Sequence, residues 1–243
     1  MTLFLASVRD QTEAETAIAA GADIIDLKDP DEGALGALGP EIVSQCVRCV
    51  AGRKPVSATI GDLPLVSDTV RQAIRATAAL GVDYVKVGLF PGSDGKSSLR
   101  SLESEAAHVR LILVLFADAL PDFDAIGDAA EIGAAGLMFD TLGKGAGALP
   151  DHIPPARLVA PVAAARAHGL TVGLAGSLGA RHIPGLLALE PDLLGFRGAL
   201  CRDGNRTEPL DASRLGAIRA LIPHRPSMSR QVNLPELAAR ALC

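Results

Sequence analysis

The pattern that most constrains the fold is an eightfold alternation of short apolar runs with Ala-rich amphipathic stretches. The apolar runs are 3–8, 23–28, 56–60, 84–89, 111–117, 136–140, 171–175 and 193–200. The helical stretches between and after them are 13–20, 41–51, 67–80, 99–109, 123–132, 161–168, 183–189 and 212–220. Such short, almost wholly apolar runs suit strands buried on both faces of a parallel sheet, and regular βα alternation builds that sheet. Eight units in 243 residues, close to the roughly 250 of a closed barrel, predict an α/β single domain, a (β/α)8 TIM barrel, over an open doubly wound sheet. The related elements Ala20-Gly-Ala-Asp23, Leu80-Gly-Val-Asp83 and Ile132-Gly-Ala-Ala135 read as helix C-caps feeding strands. The pattern changes at Pro223-His-Arg-Pro226, so residues 1–222 are assigned to the barrel and 223–243 to a C-terminal extension. Within the extension, 234–242 is expected to form a short helix packed on a neighbouring subunit.

Two of the expected strands carry a lysine. Lys28 ends Ala22-Asp-Ile-Ile-Asp-Leu-Lys28, and Lys86 sits within Asp83-Tyr-Val-Lys-Val-Gly-Leu89. A buried cation is costly unless it is paired or loses its charge, and a neutral amine is a nucleophile toward carbonyls. Barrel enzymes place their chemistry at the C-terminal ends of the strands, where the other polar residues fall as well. Asp26 shares a strand face with Lys28, Asp140 ends the sixth strand, and Lys144 follows in the glycine-rich Gly143-Lys-Gly-Ala-Gly147. In this reading Lys28, with Asp26 beside it, is the Schiff-base nucleophile and Lys86 tunes it or binds substrate. The carboxylates shuttle protons, and a loop carries Lys144 over the mouth. The structural alternative is ion pairing at the strand ends, Lys28 with Asp26 and Lys86 with Asp140.

Gly176-Ser177 and Arg197-Gly198 fall at the ends of the seventh and eighth strands, the usual phosphate pocket of barrels. Arg197 could add a bidentate contact; the alternative is an ordinary turn glycine. Gly143–147 is not a P-loop, because G-x-x-x-x-G-K-[ST] is absent. Cys46-Val-Arg-Cys49 is a lone CxxC, and no carboxylate or histidine cluster has ligand spacing, so neither a metal nor any other cofactor is expected. None of His108, His152, His168, His182 and His224 is favoured as a catalytic base. A net charge of −5 argues against a polyanion binder, and 3% aromatics with no Trp argue against nucleic acid. No apolar run approaches the roughly 20 residues of a membrane span. The start Met1-Thr-Leu-Phe-Leu-Ala-Ser7 lacks a basic n-region, so a cytoplasmic protein with reduced thiols is expected. Barrels often associate, so a homo-oligomer is expected.

The segment Gly21-Ala-Asp-Ile-Ile-Asp-Leu-Lys-Asp-Pro-Asp-Glu-Gly-Ala-Leu-Gly36 resembles the signature of the (5-formylfuran-3-yl)methyl phosphate synthases, also called 4-(hydroxymethyl)-2-furancarboxaldehyde-phosphate synthases. Tyr84-Val-Lys-Val-Gly-Leu89, Phe139-Asp-Thr-Leu-Gly-Lys144, Gly173-Leu-Ala-Gly-Ser-Leu178 and Gly195-Phe-Arg-Gly-Ala-Leu-Cys201 are similar to further segments of that family, in order across 1–222. The resemblance implies a TIM-barrel lyase of methylofuran biosynthesis in one-carbon metabolism. It implies condensation of two molecules of glyceraldehyde 3-phosphate with release of phosphate and water. The family's Schiff-base lysine falls on Lys28, and its other charged active-site positions fall on Asp26, Lys86, Asp140 and Lys144. The residues alone leave rivals open on the same fold. These are a class I aldolase, a sugar-phosphate isomerase, or a non-catalytic phosphate-metabolite sensor that would need the glycine turns but not three lysines.

Overall fold

The computed structural model of the chain describes residues 1–65, 68–91, 95–143 and 145–223. Its strands are β1 (Leu3–Val8), β2 (Ile24–Leu27), β3 (Val56–Thr59), β4 (Tyr84–Leu89), β5 (Leu111–Phe116), β6 (Gly136–Asp140), β7 (Thr171–Leu174) and β8 (Leu193–Phe196). Each pairs in parallel with the next, and β8 returns to β1 to close the barrel. The helices are α1 (Gln11–Ala19), α2 (Pro40–Val50), α3 (Asp68–Ala78), α4 (Gly95–Arg100), α5 (Glu103–Ala106), α6 (Ala125–Glu131), α7 (Leu149–His152), α8 (Pro155–Ala167), α9 (Ile183–Leu187) and α10 (Ala212–Leu221).

The glycine-containing elements before the strands do more than end helices. Gly21 and Gly81 adopt φ of +85° and +87°, the left-handed turn that suits glycine. The aspartate that closes each of these two elements then accepts a backbone N–H at the start of the preceding strand. Asp23 takes Phe4 N at 2.9 Å, and Asp83 takes Val56 N at 2.8 Å. Asp192, before β8, does the same for Val172 N at 2.7 Å. These donors lie at the N-terminal rim of the barrel, where satisfying the strand-start N–H groups serves stability.

Outward-facing strand residues such as Phe4, Ile25, Leu27, Val85, Val87, Leu113 and Phe139 meet the helices in one large core. Inward-facing Leu5, Ile24, Ile112, Val114, Phe116, Met138 and Leu193 fill the barrel itself. Going up the strands, the inward positions turn polar: Ile24 gives way to Asp26 and Lys28, Leu5 to Ser7, and Met138 to Asp140. The apolar layers plug the lower barrel and leave one polar end.

Several expected boundaries shift. β8 stops at Phe196 instead of running to residue 200, because Arg197 (φ −133°, ψ −74°) leaves the extended region and Gly198–Leu200 form a 3-10 turn. The stretch 99–109 becomes two short helices, α4 and α5. α8 begins earlier than expected, at Pro155, a residue suited to a first helical turn because its missing N–H would have no partner there. The short α7 after the glycine-rich loop was not expected. The barrel's last helix ends at Leu221, whereas the proposed helix at 234–242 lies outside the described residues. Among the described residues no helix is long and apolar enough to cross a membrane, and no group of three or more His, Cys, Asp or Glu could hold a metal ion. Cys46 of the CxxC pair is buried in α2, and burial pushes its thiol up to about 12.

Candidate active site

The polar end of the barrel opens into a cavity of about 400 Å³, within the size range of small-molecule sites. Lys28, Lys86 and Asp140 line it, together with Gly176, Ser177, Arg197, Gly198 and Arg206. Four of the five charged residues singled out from the sequence thus come together at the mouth, because Asp26 lies directly beneath. Lys144 lies outside the described residues.

The pairing within this group differs from the expected one. Asp26 is fully buried, and its carboxylate serves Lys86: Lys86 Nζ donates to both oxygens at 3.1 Å. Ser7 Oγ and Ser57 Oγ donate to the same carboxylate at 2.8 and 2.6 Å. The carboxylate near the Lys28 amine is instead Asp140, at 3.7 Å. The cause is barrel geometry. Alternate strands contribute to one interior layer, so Asp26 on β2 meets Lys86 on β4 over the intervening Ser57 of β3. Lys28, one layer higher, meets Asp140 from β6 on the far side. Neighbours two apart on one strand point the same way, but their heads diverge to partners on other strands.

Asp140 is itself held, accepting the Thr141 N–H at 2.7 Å. The glycine-rich loop that follows is anchored by Asp118, a residue for which the sequence offered no signal. Its carboxylate accepts Leu142 N and Gly143 N, each at 2.7 Å. Burial alone would raise the Asp118 carboxyl, but those two N–H groups hold it below its ordinary range.

Beside the end of β6, Gly176 (φ +93°) and Ser177 (φ +50°) turn the chain sharply after β7, the neighbour of β6. The backbone N–H groups of Gly176, Ser177 and Gly198 have no protein acceptor among the described residues, a pattern suited to an anion. A side chain at position 176 is excluded twice over: the φ is left-handed, and a Cβ would stand 2.9 Å from the Thr141 backbone nitrogen. Gly176→Ala is therefore expected to cost about 1–3 kcal/mol, read by urea unfolding. A variant as stable as the parent would show that this turn is not held as described.

Arg197 lines the cavity, but the bidentate contact expected of it for substrate is made to protein. Its guanidinium pairs with both oxygens of Glu13 on α1, and its remaining donors go to the carbonyls of Ser7, Arg206 and Glu208. Glu13 is 184 residues away in sequence, and nothing local signals the partnership. His182 caps the turn before α9, accepting the Gly179 N–H at 3.0 Å.

The fold is shared widely. Phosphoribosyl anthranilate isomerase from Thermus thermophilus superposes with a TM-score of 0.64 at 18% identity over 91% of this chain and 98% of that one. The isomerase from Thermotoga maritima gives a TM-score of 0.67 at 10% identity, again over 91% and 98%. At such identities the likeness concerns the barrel alone. Sequence relatives say more. A protein of Methylorubrum extorquens is 44% identical over 218 residues, 89% of this chain and 90% of its own. The (5-formylfuran-3-yl)methyl phosphate synthase of Methanopyrus kandleri is 36% identical over 228 residues, 89% of this chain and 93% of its own. With residues 4–219 also matching the 4-HFC-P synthase family profile, this enzyme belongs to the 4-HFC-P synthase, or (5-formylfuran-3-yl)methyl phosphate synthase, family.

Proposed function

We propose that the protein is a lyase that condenses two molecules of glyceraldehyde 3-phosphate into (5-formylfuran-3-yl)methyl phosphate through a Schiff base on Lys28, as a step of methylofuran biosynthesis. The observation that carries this reading is the set of two buried lysine–carboxylate pairs, Lys28 with Asp140 and Lys86 with Asp26, at the mouth of one barrel. The open N–H groups of Gly176, Ser177 and Gly198 line the same cavity, the Gly176 turn lying beside Asp140.

The Lys28 amine adds to the carbonyl carbon of one triose, and water leaves to give an iminium. A proton departs from the adjacent carbon, leaving an enamine, whose carbon attacks the aldehyde of the second triose. Elimination of one phosphate and dehydration follow, and ring closure of a hydroxyl oxygen of the second triose onto the iminium carbon displaces the lysine amine. The net balance is two triose phosphates to one furan phosphate, one inorganic phosphate and two molecules of water; no oxidant or reductant is needed.

Asp140, 3.7 Å from the Lys28 amine, is the carboxylate suited to shuttle protons there. Lys86 supplies a fixed positive charge that favours a neutral neighbouring amine. Asp26, out of the cavity lining, fixes Lys86 and does not itself reach substrate. Lys144 is assigned to substrate from the loop after β6, by the family resemblance.

The test is borohydride trapping with glyceraldehyde 3-phosphate, peptide mass mapping, and an ultraviolet scan of the untrapped reaction. A reduced adduct on Lys28 together with a new near-ultraviolet furan chromophore is expected. An adduct without the chromophore would make the protein an aldolase, and an adduct on Lys86 alone would overturn the nucleophile assignment.

A further inference from the structure

We infer that Arg206, in the loop after β8, is the side chain that grips the substrate phosphate, a role its neighbour Arg197 is too fully engaged to play. The inference rests on the proposed reading for the identity of the phosphate ester, not for the existence of the anion site.

The cavity wall holds four described cations: Lys28, Lys86, Arg197 and Arg206. Lys28 and Lys86 face carboxylates, and Arg197 spends its guanidinium on Glu13 and three backbone carbonyls. Arg206 differs. Among the described residues its side chain makes one hydrogen bond, Nη2 to the Gly33 carbonyl at 3.2 Å, and no ion pair. Its other N–H donors therefore remain for a ligand, in a side chain that is only half exposed. The carboxylates of Asp140, Asp31 and Asp62 act on Arg206 only from a distance, none in ion-pair contact, so its partial burial keeps a desolvation cost that a bound anion offsets. Burial pulls the Arg206 pKa down, as expected of such a site, yet a guanidinium stays charged at any working pH.

The position is built. Arg206 O accepts from Arg197 Nε at 2.8 Å, Thr207 O from Arg9 Nη1 at 2.7 Å, and Glu208 O from Arg197 Nη2 at 3.2 Å. Three successive carbonyls are thus fixed by two arginines, and Glu13 closes the network by accepting the Leu210 N–H at 3.3 Å. A residue whose backbone is held this firmly presents its side chain with little entropy left to lose. The Arg206 backbone also runs beside Gly198, where an added Cβ would lie 3.9 Å from Arg206 N and 3.2 Å from Gly204 O. The guanidinium and the open N–H groups at 176, 177 and 198 are therefore walls of one anion pocket, suited to bidentate contact with a phosphate monoester.

The experiment uses the full chain and inorganic phosphate as probe. Wild-type protein is expected to melt at higher temperature in millimolar phosphate than in sodium chloride of equal ionic strength, since a ligand that binds only the folded state stabilises it. Arg206→Ala should fold with an unchanged melting temperature in chloride and lose the phosphate response; Arg206→Lys should keep part of it, lacking the planar fork. In borohydride trapping, the half-saturating concentration of triose phosphate should rise roughly tenfold to a hundredfold in Arg206→Ala, as for loss of a charge-assisted contact. Trapping of unphosphorylated glyceraldehyde should fall far less. A full phosphate response in Arg206→Ala, or none in the wild type, overturns the inference, as does an equal loss with both aldehydes. A phosphate response that depends on Arg206 in a protein that traps no triose upholds the inference while defeating the proposed reaction.

Discussion

Replacing Lys28 with alanine or arginine is expected to abolish furan formation, a fall of about three orders of magnitude or more, in a protein that still folds. The two variants fail for different reasons. Alanine removes the amine. Arginine keeps the positive charge opposite Asp140 but offers no neutral nitrogen, because a guanidinium does not deprotonate in proteins. If the role of Lys28 were only to balance Asp140, arginine would restore most of the activity. The fold should survive either change: the site lies at the open end of the barrel, above the apolar layers formed by Leu5, Ile24, Ile112, Val114, Met138 and Leu193. Asp140 also retains the Thr141 N–H. Circular dichroism and urea unfolding establish folding; the ultraviolet assay gives turnover, and trapping locates any residual adduct. Furan formation at the parent rate by folded Lys28→Ala would sink the Schiff-base assignment.

The barrel was legible in the sequence because its determinants are local. The alternation of runs such as Tyr84-Val-Lys-Val-Gly-Leu89 with helical stretches needs only neighbouring residues, and the polar ends of the strands mark the chemical face. The partners of those polar residues were not legible. Whether Asp26 serves Lys28 or Lys86 is decided by the stagger of strands around a closed barrel, which no single segment encodes. Arg197 illustrates the same limit. An arginine beside a glycine at the end of a barrel strand is a reasonable phosphate ligand until Glu13, from the first helix, is found against it. Arg206 was overlooked for the complementary reason: it lies in an irregular loop with no periodicity, and its place at the cavity depends on backbone contacts from Arg9 and Arg197.

The Asp26–Lys86 pair is expected to show the largest stability effect in the molecule. Asp26→Ala should destabilise the fold by about 3–5 kcal/mol in urea unfolding, the usual consequence of leaving one member of a buried ion pair alone. Both groups are almost wholly withdrawn from solvent, at 0% and 2% exposure, so solvent screening gives little relief. The loss is compounded because Ser7 and Ser57 forfeit their shared acceptor. Lys86→Met should cost less, since those two hydroxyls continue to stabilise the carboxylate. In Asp26→Leu/Lys86→Met no buried charge remains, and stability should recover most of the way toward the parent, as apolar replacements of buried pairs commonly do. The shortfall should be about 1 kcal/mol for each serine hydroxyl left without a partner. A strong non-additivity between the single and double variants is thus expected, and additive losses would contradict the contact geometry. Activity should not return with stability in the double variant. A barrel interior can be filled with Leu, Ile and Met, as the layers below Asp26 are. A pair that could be exchanged for such residues at little net cost to the fold is therefore explained by what the Lys86 charge does in the cavity above it.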